Sequence, residues 1–383
     1  MILQHKKIAI IGGGPGGLTL ARLLQLNNLR VQVYERDVNE QVRQQGATLD
    51  LHEESGLEAL RRAGLMDAFK KQYRPNAGKL RITDLQGNIK MDDHAITDYR
   101  DSRPEIDRAP LRDILVQSLQ PGTIVWNSHF ASMQPQGDGW LIHFKNGSSV
   151  YADIVIAADG ANSKIRPYIT NIQPVYSGIT IVEGNLYNAQ ANAPKLWDLV
   201  KGGKLFALGN EQSLILSTKG DGSLSFYTGC KVPENWITAS GIDFNNKTSV
   251  HHWFSHAFNN WDTIWQEIFA GGESWFVPRP QYHFPLDQQW EALPNLTMIG
   301  DAAHRMPPYA GEGVNMAMQD AFELTACLTG NMFADTQSAI AAYESSMLQR
   351  AAAVTNDTLI NTTLIHAADG LEVAGQPHHG QAG

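Results

Sequence analysis

The 383 residues include 43% hydrophobic and 18% charged side chains, and 39 acidic against 30 basic residues give a formal charge of −9. These proportions are ordinary for a globular enzyme with a large core. The acidic balance argues against nucleic acid or an anionic membrane surface as partner. The two cysteines, Cys230 and Cys327, support neither a disulfide framework nor a zinc site, and no apolar stretch approaches the roughly 20 residues of a membrane span. A cytoplasmic location is the default expectation.

Residues 6–11 read as a short buried strand, Gly17–Leu26 as a helix with Leu18, Ala21 and Leu24 at helical spacing, and Val31–Tyr34 as a second buried strand. Together they begin a parallel α/β sheet. Ser55–Arg62 and Leu111–Leu119 read as amphipathic helices, and residues 79–91 as a strand pair around Gln86-Gly87-Asn88. Strands are expected at Thr123–Trp126, His129–Met133, Trp140–Phe144 and Val150–Ala157. Further strands follow at Thr180–Leu186, Lys204–Leu208, Ser213–Thr218 and Ser223–Cys230, with a helical stretch over Val250–Phe269. A buried strand, Leu296–Ile299, then precedes a helix from Asn315 to Leu328 and two further helices over 336–366. The expected fold class is therefore α/β. A discontinuous Rossmann-like domain (1–74, 102–171 and 285–328) holds a sheet-rich domain (75–101 and 172–284). C-terminal helices (329–366) and a disordered tail (367–383) complete it.

Three segments carry chemistry. Gly12, Gly14 and Gly17 stand in G-x-G-x-x-G spacing, with Pro15 between them, after a strand and at the start of a helix. Gly12 permits the tight turn, Gly14 lets backbone approach a pyrophosphate, and Gly17 allows helix–strand packing. Glu35, at the end of the next strand, suits the hydroxyls of an adenosine ribose. The plainer alternative is a glycine turn with a surface glutamate. The second segment, Asp159-Gly160 running on to Arg166, follows a buried strand, where open α/β sheets bind ligands; alone it could be an Asp-Gly turn with a helix cap. The third is dense: Gly300-Asp301-Ala302-Ala303-His304, Pro307-Pro308, then Gly311, Glu312, Gly313, Val314 and Asn315 entering a helix. Asp301 is suited to a polyhydroxyl chain. The amides and dipole at the helix start suit the negative charge that a reduced flavin develops at its N1–C2 carbonyl region. His304 reads as a structural histidine before a general base.

In this order, the three segments resemble the para-hydroxybenzoate-hydroxylase-type (class A) FAD-dependent monooxygenases over nearly the whole chain. Tyr34-Glu35-Arg36, Gly46–His52, Glu105–Arg108 with Leu111-Arg112, and Gly300–Asn315 are most similar to the tetracycline-inactivating members. The resemblance implies FAD, reduced by NADPH or NADH as a transient partner. Oxygen is then activated as a C4a-hydroperoxyflavin, and one oxygen atom passes to a phenolic or polycyclic substrate, tetracyclines among the candidates. It implies that Glu35 binds adenosine ribose, Arg112 the ribityl–pyrophosphate region, and Asp301 ribitol and pyrophosphate. Asp159 supports the pyrophosphate, while Pro308, Gly311, Gly313, Val314 and Asn315 lie along the isoalloxazine. Arg36 and Arg108 are flavin-side cations, or solvated arginines. A monomer is the expected state.

No side-chain nucleophile is nominated, because the cofactor carries the chemistry. The absence of a second dinucleotide fingerprint and of a close cysteine pair counts against the glutathione-reductase type, and none of the nine tryptophans forms the Trp-x-Trp-x-x-Pro segment of flavin halogenases. Substrate candidates are Glu183, Lys204, Phe206 and Ser225 on sheet strands and Asn361 and Ile365 on the last helix, with core packing the alternative for Phe206 and Ile365. The tetracycline-inactivating group carries Gln, Arg, Met and His at the first four positions. This sequence departs at each, whereas Asn361 agrees. The alternatives are a hydroxylase of another aromatic metabolite and a non-catalytic flavin-binding or sequestering protein. For a reductant 2′-phosphate, Arg36 and Arg43 are both available.

Overall fold

The computed structural model describes residues 2–40, 42, 47–96, 101–368, 370 and 371. Arg43, Gly46 and all but four residues of the expected tail lie outside these. In chain order, β1 (Ile8–Ile11) is buried throughout, as four consecutive apolar residues require of a strand covered on both faces. Helix α1 (Pro15–Leu26) opens with proline in its first turn, where the missing N–H costs nothing. It is followed by β2 (Val31–Tyr34), parallel to β1. Next come β3 (Leu80–Thr83) and β4 (Ile89–Asp92), an antiparallel pair, then α2 (Arg108–Gln117), β5 (Ile124–Val125) and β6 (Ile154–Ala157). The long central strands are β7 (Val175–Leu186), β8 (Lys204–Gly209), β9 (Gln212–Thr218), β10 (Leu224–Lys231) and β11 (Phe276–His283). The chain then adds β12 (Leu296–Met298), α3 (Gly313–Thr329) and α4 (Thr336–Ile365).

Two sheets organise the molecule. One runs β12-β6-β1-β2-β5, all parallel, with its main core shared by α1, α3 and α4. The other runs β11-β7-β10-β9-β8-β3-β4, antiparallel except where β8 meets β3. Because side chains alternate along a strand, register decides which residues share a face. Val277, Glu183, Tyr227, Ile215, Phe206, Ile82 and Met91 stand opposite one another across all seven strands, in a single row. Two residues along, Asn185, Ser225, Ser217, Lys204 and Leu80 form a parallel row on that face. The opposite face, including Val182, Phe226, Leu214, Leu216, Leu205 and Ala207, is sealed by Pro194–Val200, Lys247–Ala257 and Thr263–Phe269.

Three expectations need correction. The expected strand Val150–Ala157 is two strands, Ser149–Ala152 and Ile154–Ala157. Asp153 breaks it: its carboxylate accepts from Lys7 N at 2.7 Å and turns the chain out of an antiparallel meander alongside β1. The stretch 250–269 divides into a helix, Lys247–Ala257, and a 3-10 segment, Thr263–Phe269. The two helices expected over 336–366 are one helix of 30 residues. Its interior holds Asn356, Asp357 and several threonines, weak helix formers. Thr355, Thr358 and Thr362 are buried, however, and Thr362 returns its hydroxyl proton to the Thr358 carbonyl, so tertiary packing overrides propensity.

Candidate active site

The crevice between the first two strands and α1 is built by its glycines. Gly12 has φ +114°, and a Cβ there would meet the Ala158 carbonyl oxygen at 2.2 Å. A Cβ on Gly17 would stand 2.2 Å from the Gly12 oxygen, and one on Gly16 would strike Ala317 of α3. Gly14 differs: a Cβ there meets no protein atom within 4 Å. The open space lies in front of the α1 N-terminus, which has no side-chain cap and no acidic residue in its first turn. This arrangement fits a pyrophosphate. Glu35 is buried at the end of β2 and accepts from Gly13 N at 2.5 Å and Asp37 N at 2.9 Å, which fixes its carboxylate at the crevice. Arg36 is exposed beside it. Arg112 bonds Asp37 at 3.2 Å and the Glu40 carbonyl at 2.9 Å, and its guanidinium faces the Trp126 ring.

Asp301 begins a one-turn helix, Asp301–His304, just beyond β12. Among the described residues its carboxylate takes no hydrogen bond and is open to solvent, yet the surrounding protein pushes its pKa up, with His304, Arg305 and Arg108 opposing. It points toward the loop entering α3, where a Cβ on Gly313 would lie 3.9 Å from Oδ1. Asp159 is similar: Lys164 N donates to one oxygen at 2.8 Å, while the other is buried without a partner. The solvent-open Asp301 carboxylate and the unpartnered Asp159 oxygen are acceptors that a ribityl–pyrophosphate chain would satisfy, so the residues fit FAD. Gly311, at φ +70°, Gly313, Val314 and exposed Pro308 lie where the loop enters α3, and Asn315 pins that loop. The Asn315 side chain accepts from His52 N at 2.9 Å and donates to the carbonyls of Asp50 at 2.9 Å and Gly311 at 3.1 Å.

A scaffold that sequence reading did not find supports these loops. Asp320 of α3, fully buried, accepts from Gly300 N at 2.8 Å, from His304 Nε2 at 2.6 Å and from Arg350 of α4 at 2.6 Å. Burial alone would raise its carboxyl; His304 and Arg350 outweigh that and hold it below the ordinary range. His304 is therefore structural, as expected. Arg166, buried, donates to the carbonyls of Ala302 and Ala303 at 3.0 Å and to Gln288 at 2.7 Å, and stacks on Phe284 at 3.5 Å. Burial lowers its pKa to about 10. It ties the Asp159 segment to the Asp301 segment, a link that the lone spacing Asp159 to Arg166 does not reveal.

The row-bearing face of the seven-stranded sheet looks toward these loops. Tyr309, which follows Pro308, packs with Ile82, Ile179, Ile181, Leu208 and Ile365, and Phe206, Ile215 and Tyr227 lie partly exposed beside them. Ala47 N donates to the Tyr227 hydroxyl and Arg108 donates to the Ala47 carbonyl, each at 3.1 Å. Glu183 is buried and paired with Arg279. Ser225 is buried and reaches the Ser217 carbonyl. Lys204 pairs with buried Glu105. Thus Glu183, Lys204, Phe206 and Ser225 share one face, and Ile365 joins the apolar cluster. Asn361 is half-buried four residues earlier on α4. Asp50, His52, Glu105 and Tyr227 were missed, although the i, i+2 spacing of Asp50 and His52 is a signal that two ionisable groups share one side of an extended segment.

Residues 5–358 match the family described as FAD binding domain. The 6-hydroxynicotinate 3-monooxygenase of Pseudomonas fluorescens is 27% identical over 372 residues, covering 94% of this chain and 92% of that protein. Klebsiella pneumoniae HpxO, solved with FAD and uric acid, superposes with a TM-score of 0.75 at 21% identity, covering 97% of this chain and 91% of its own. The tetracycline destructase Tet(55) superposes with a TM-score of 0.73 at 18% identity, covering 96% and 98%. With a parallel α/β sheet, a glycine-lined turn between β1 and α1 and a family match over most of its length, the chain belongs to the FAD binding domain family and is a flavin-dependent monooxygenase. Among the described residues no helix is long and apolar enough to cross a membrane.

Proposed function

We propose that this monooxygenase draws electrons from NADPH or NADH and hydroxylates an aromatic or polycyclic small molecule held against the inner face of the seven-stranded sheet. The observation that supports this most is the row from Glu183 through Tyr227, Ile215, Phe206 and Ile82 to Met91. It is an apolar, partly aromatic floor with a polar group at one end, opposite the Gly311–Asn315 loop, the composition of a small-molecule pocket. Bound and reduced, FAD supplies the oxygen-activating chemistry that inserts one atom of O2.

The protein's own contribution is placement. Gly12, Gly14, Pro15 and Gly17 admit the pyrophosphate to the α1 N-terminus, and Glu35 offers carboxylate oxygens to the ribose. Asp301 and Asp159 receive hydroxyl donors, while the amides at the start of α3 stabilise negative charge on the flavin's pyrimidine side. Arg112 steadies the Asp37 turn at the adenosine end, and Arg36 and Arg108 are the cations a reductant meets. Tyr227, whose oxygen accepts from Ala47, keeps its own proton for an acceptor on the substrate. Glu183 with Arg279, Lys204, Ser225 and Asn361 orient the substrate edges, and Phe206 with Ile365 excludes water.

The test is direct. The purified protein should retain FAD, and NADPH or NADH should bleach its absorbance. Phenols, hydroxylated N-heterocycles and tetracyclines should then be screened for stimulated cofactor consumption with mass gain of one oxygen atom. Retained FAD without stimulation by any class would defeat the hydroxylase reading.

A further inference from the structure

Five ionisable side chains of alternating sign run without a gap from the flavin-side loop to the substrate face. Glu312 lies 3.4 Å from His52 Nδ1, and His52 Nε2 lies 3.1 Å from Asp50 Oδ2. The other Asp50 oxygen is 3.7 Å from Lys204 Nζ, and Lys204 pairs with Glu105. One end touches the cofactor loop, since a Cβ on Gly311 would stand 3.0 Å from both Asp50 oxygens. The other end shares a sheet face with Phe206, two residues along β8. Arg103 flanks the chain at 3.9 Å from Asp50, and Asp101, whose carboxylate oxygens are buried near the Asn76 backbone, feels the charge of Lys204.

We propose that this line of charges couples the two sides of the site, with His52 and Lys204 as positioning residues: an anionic substrate group, phenolate or carboxylate, that engages Lys204 loosens its hold on Asp50 and so tightens Asp50 on His52 beside the flavin loop. The inference rests on the flavin-hydroxylase reading above. Partly buried pairs are weakly screened, so a charge change at one end is felt along the line. Burial would lower the His52 pKa, but the Asp50 and Glu312 carboxylates raise it to about 9 against the opposing charge of Arg103. Burial would raise Asp50, yet His52 and Lys204 hold it at about 2. His52 is therefore a cation at neutral pH, and its loss is the signal to follow.

The sign is fixed by the alternation. Removing the positive charge in Lys204→Gln leaves Asp50 wholly to His52 and raises the imidazolium pKa, whereas Glu105→Gln lowers it. Neither residue touches His52, and Lys204→Arg, which keeps the charge, should leave it in place. The pKa of His52 can be followed by NMR titration of the purified protein, and the midpoint potential of bound FAD should be measured across the same alkaline range. The expected result is opposite displacements of the His52 titration by about half a unit or more in the two glutamine variants. The flavin potential should break at the same pH, and that break should vanish in His52→Gln or, should that variant fail to fold, shift downward in Glu312→Gln. An unmoved His52 titration in both Lys204→Gln and Glu105→Gln with native circular dichroism would overturn the proposal, as would a flavin potential with no break tied to His52. Failure to retain FAD would defeat the flavin reading instead and leave the NMR titration to decide the coupling.

Discussion

The glycines of residues 12–17 differ in what excludes a side chain, and the difference is measurable. At Gly17 the obstacle is protein backbone 2.2 Å away, so Gly17→Ala should destabilise the fold by about 1–3 kcal/mol, as overpacking does. At Gly14 there is no protein obstacle. Gly14→Ala should therefore leave the melting temperature of the apoprotein nearly unchanged and weaken FAD binding by roughly 5- to 150-fold, the same overpacking energy felt by the ligand alone. Thermal unfolding of apoprotein and a fluorescence titration with FAD separate the two outcomes. Equal stability loss in both variants would refute the distinction.

A second residue-scale prediction concerns Glu344 of α4, buried and hydrogen-bonded by Thr297 at 2.7 Å. Burial lifts its pKa to about 7 from 4.5, against the hydrogen bond of Thr297. The folded protein thus keeps a proton that the unfolded chain has already released. Between these two values unfolding releases a proton, and stability falls as pH rises. The full penalty, about 3 kcal/mol, is reached above the folded pKa. Glu344→Gln mimics the protonated acid. It should match wild type only below the ordinary carboxyl value of 4.5 and exceed it increasingly up to and beyond neutral pH, as read by urea denaturation at several pH values.

At the scale of elements, Gly229 of β10 is a junction. A Cβ there would lie 2.4 Å from both His366 Nε2 and Ser213 Oγ and 2.7 Å from the Tyr309 hydroxyl. His366 is fully buried with its Nδ1 on the Thr362 carbonyl at 2.8 Å, and burial lowers its pKa to about 4, so it is neutral and Nε2 accepts from Ser213 at 3.0 Å. Gly229→Ala should undock the end of α4 from the sheet. Hydrogen exchange over residues 358–368 should accelerate at least tenfold while exchange in β1 and β6 stays unchanged.

The same scale shows what a sequence reveals. Parallel strands such as β1 and β6 are legible because burial on both faces demands continuous apolar runs. The central strands are legible because one face must alternate. The fingerprint glycines and the strand-end acids are legible because backbone geometry within a few residues demands them. Helix α4 was not, since its threonines look like breaks until their buried partners on other elements are known. Nor was the meeting of Asp50, Glu105 and Lys204, which arises only because Leu49–Asp50 pairs with Glu105–Ile106 against the start of β8. Local pattern carries no information about such long-range meetings.

At the scale of the whole molecule, we propose the discontinuous division read from the sequence, with residues 75–101 and 172–284 supplying all seven strands of the substrate sheet. In that division the proposed flavin and substrate sites meet where the sheet faces the loops after β6 and β12, so a ligand there should stabilise both units at once. FAD at a hundredfold excess over its dissociation constant should raise unfolding free energy by about 2.7 kcal/mol. Two separate unfolding transitions, of which FAD moves only one, would show that the crevice does not join the units.

Protein groups brace the Gly300–His304 turn: Asp320 bonds Gly300 and His304, Arg350 bonds Asp320, and Arg166 bonds Ala302 and Ala303. The empty apoprotein should hold the shape of its own mould, so that flavin uptake needs little reordering and is governed by diffusion and desolvation. Stripped of FAD, such a protein becomes an exchangeable socket, ready to be recharged with flavins of altered ring substitution whose redox behaviour can be chosen in advance.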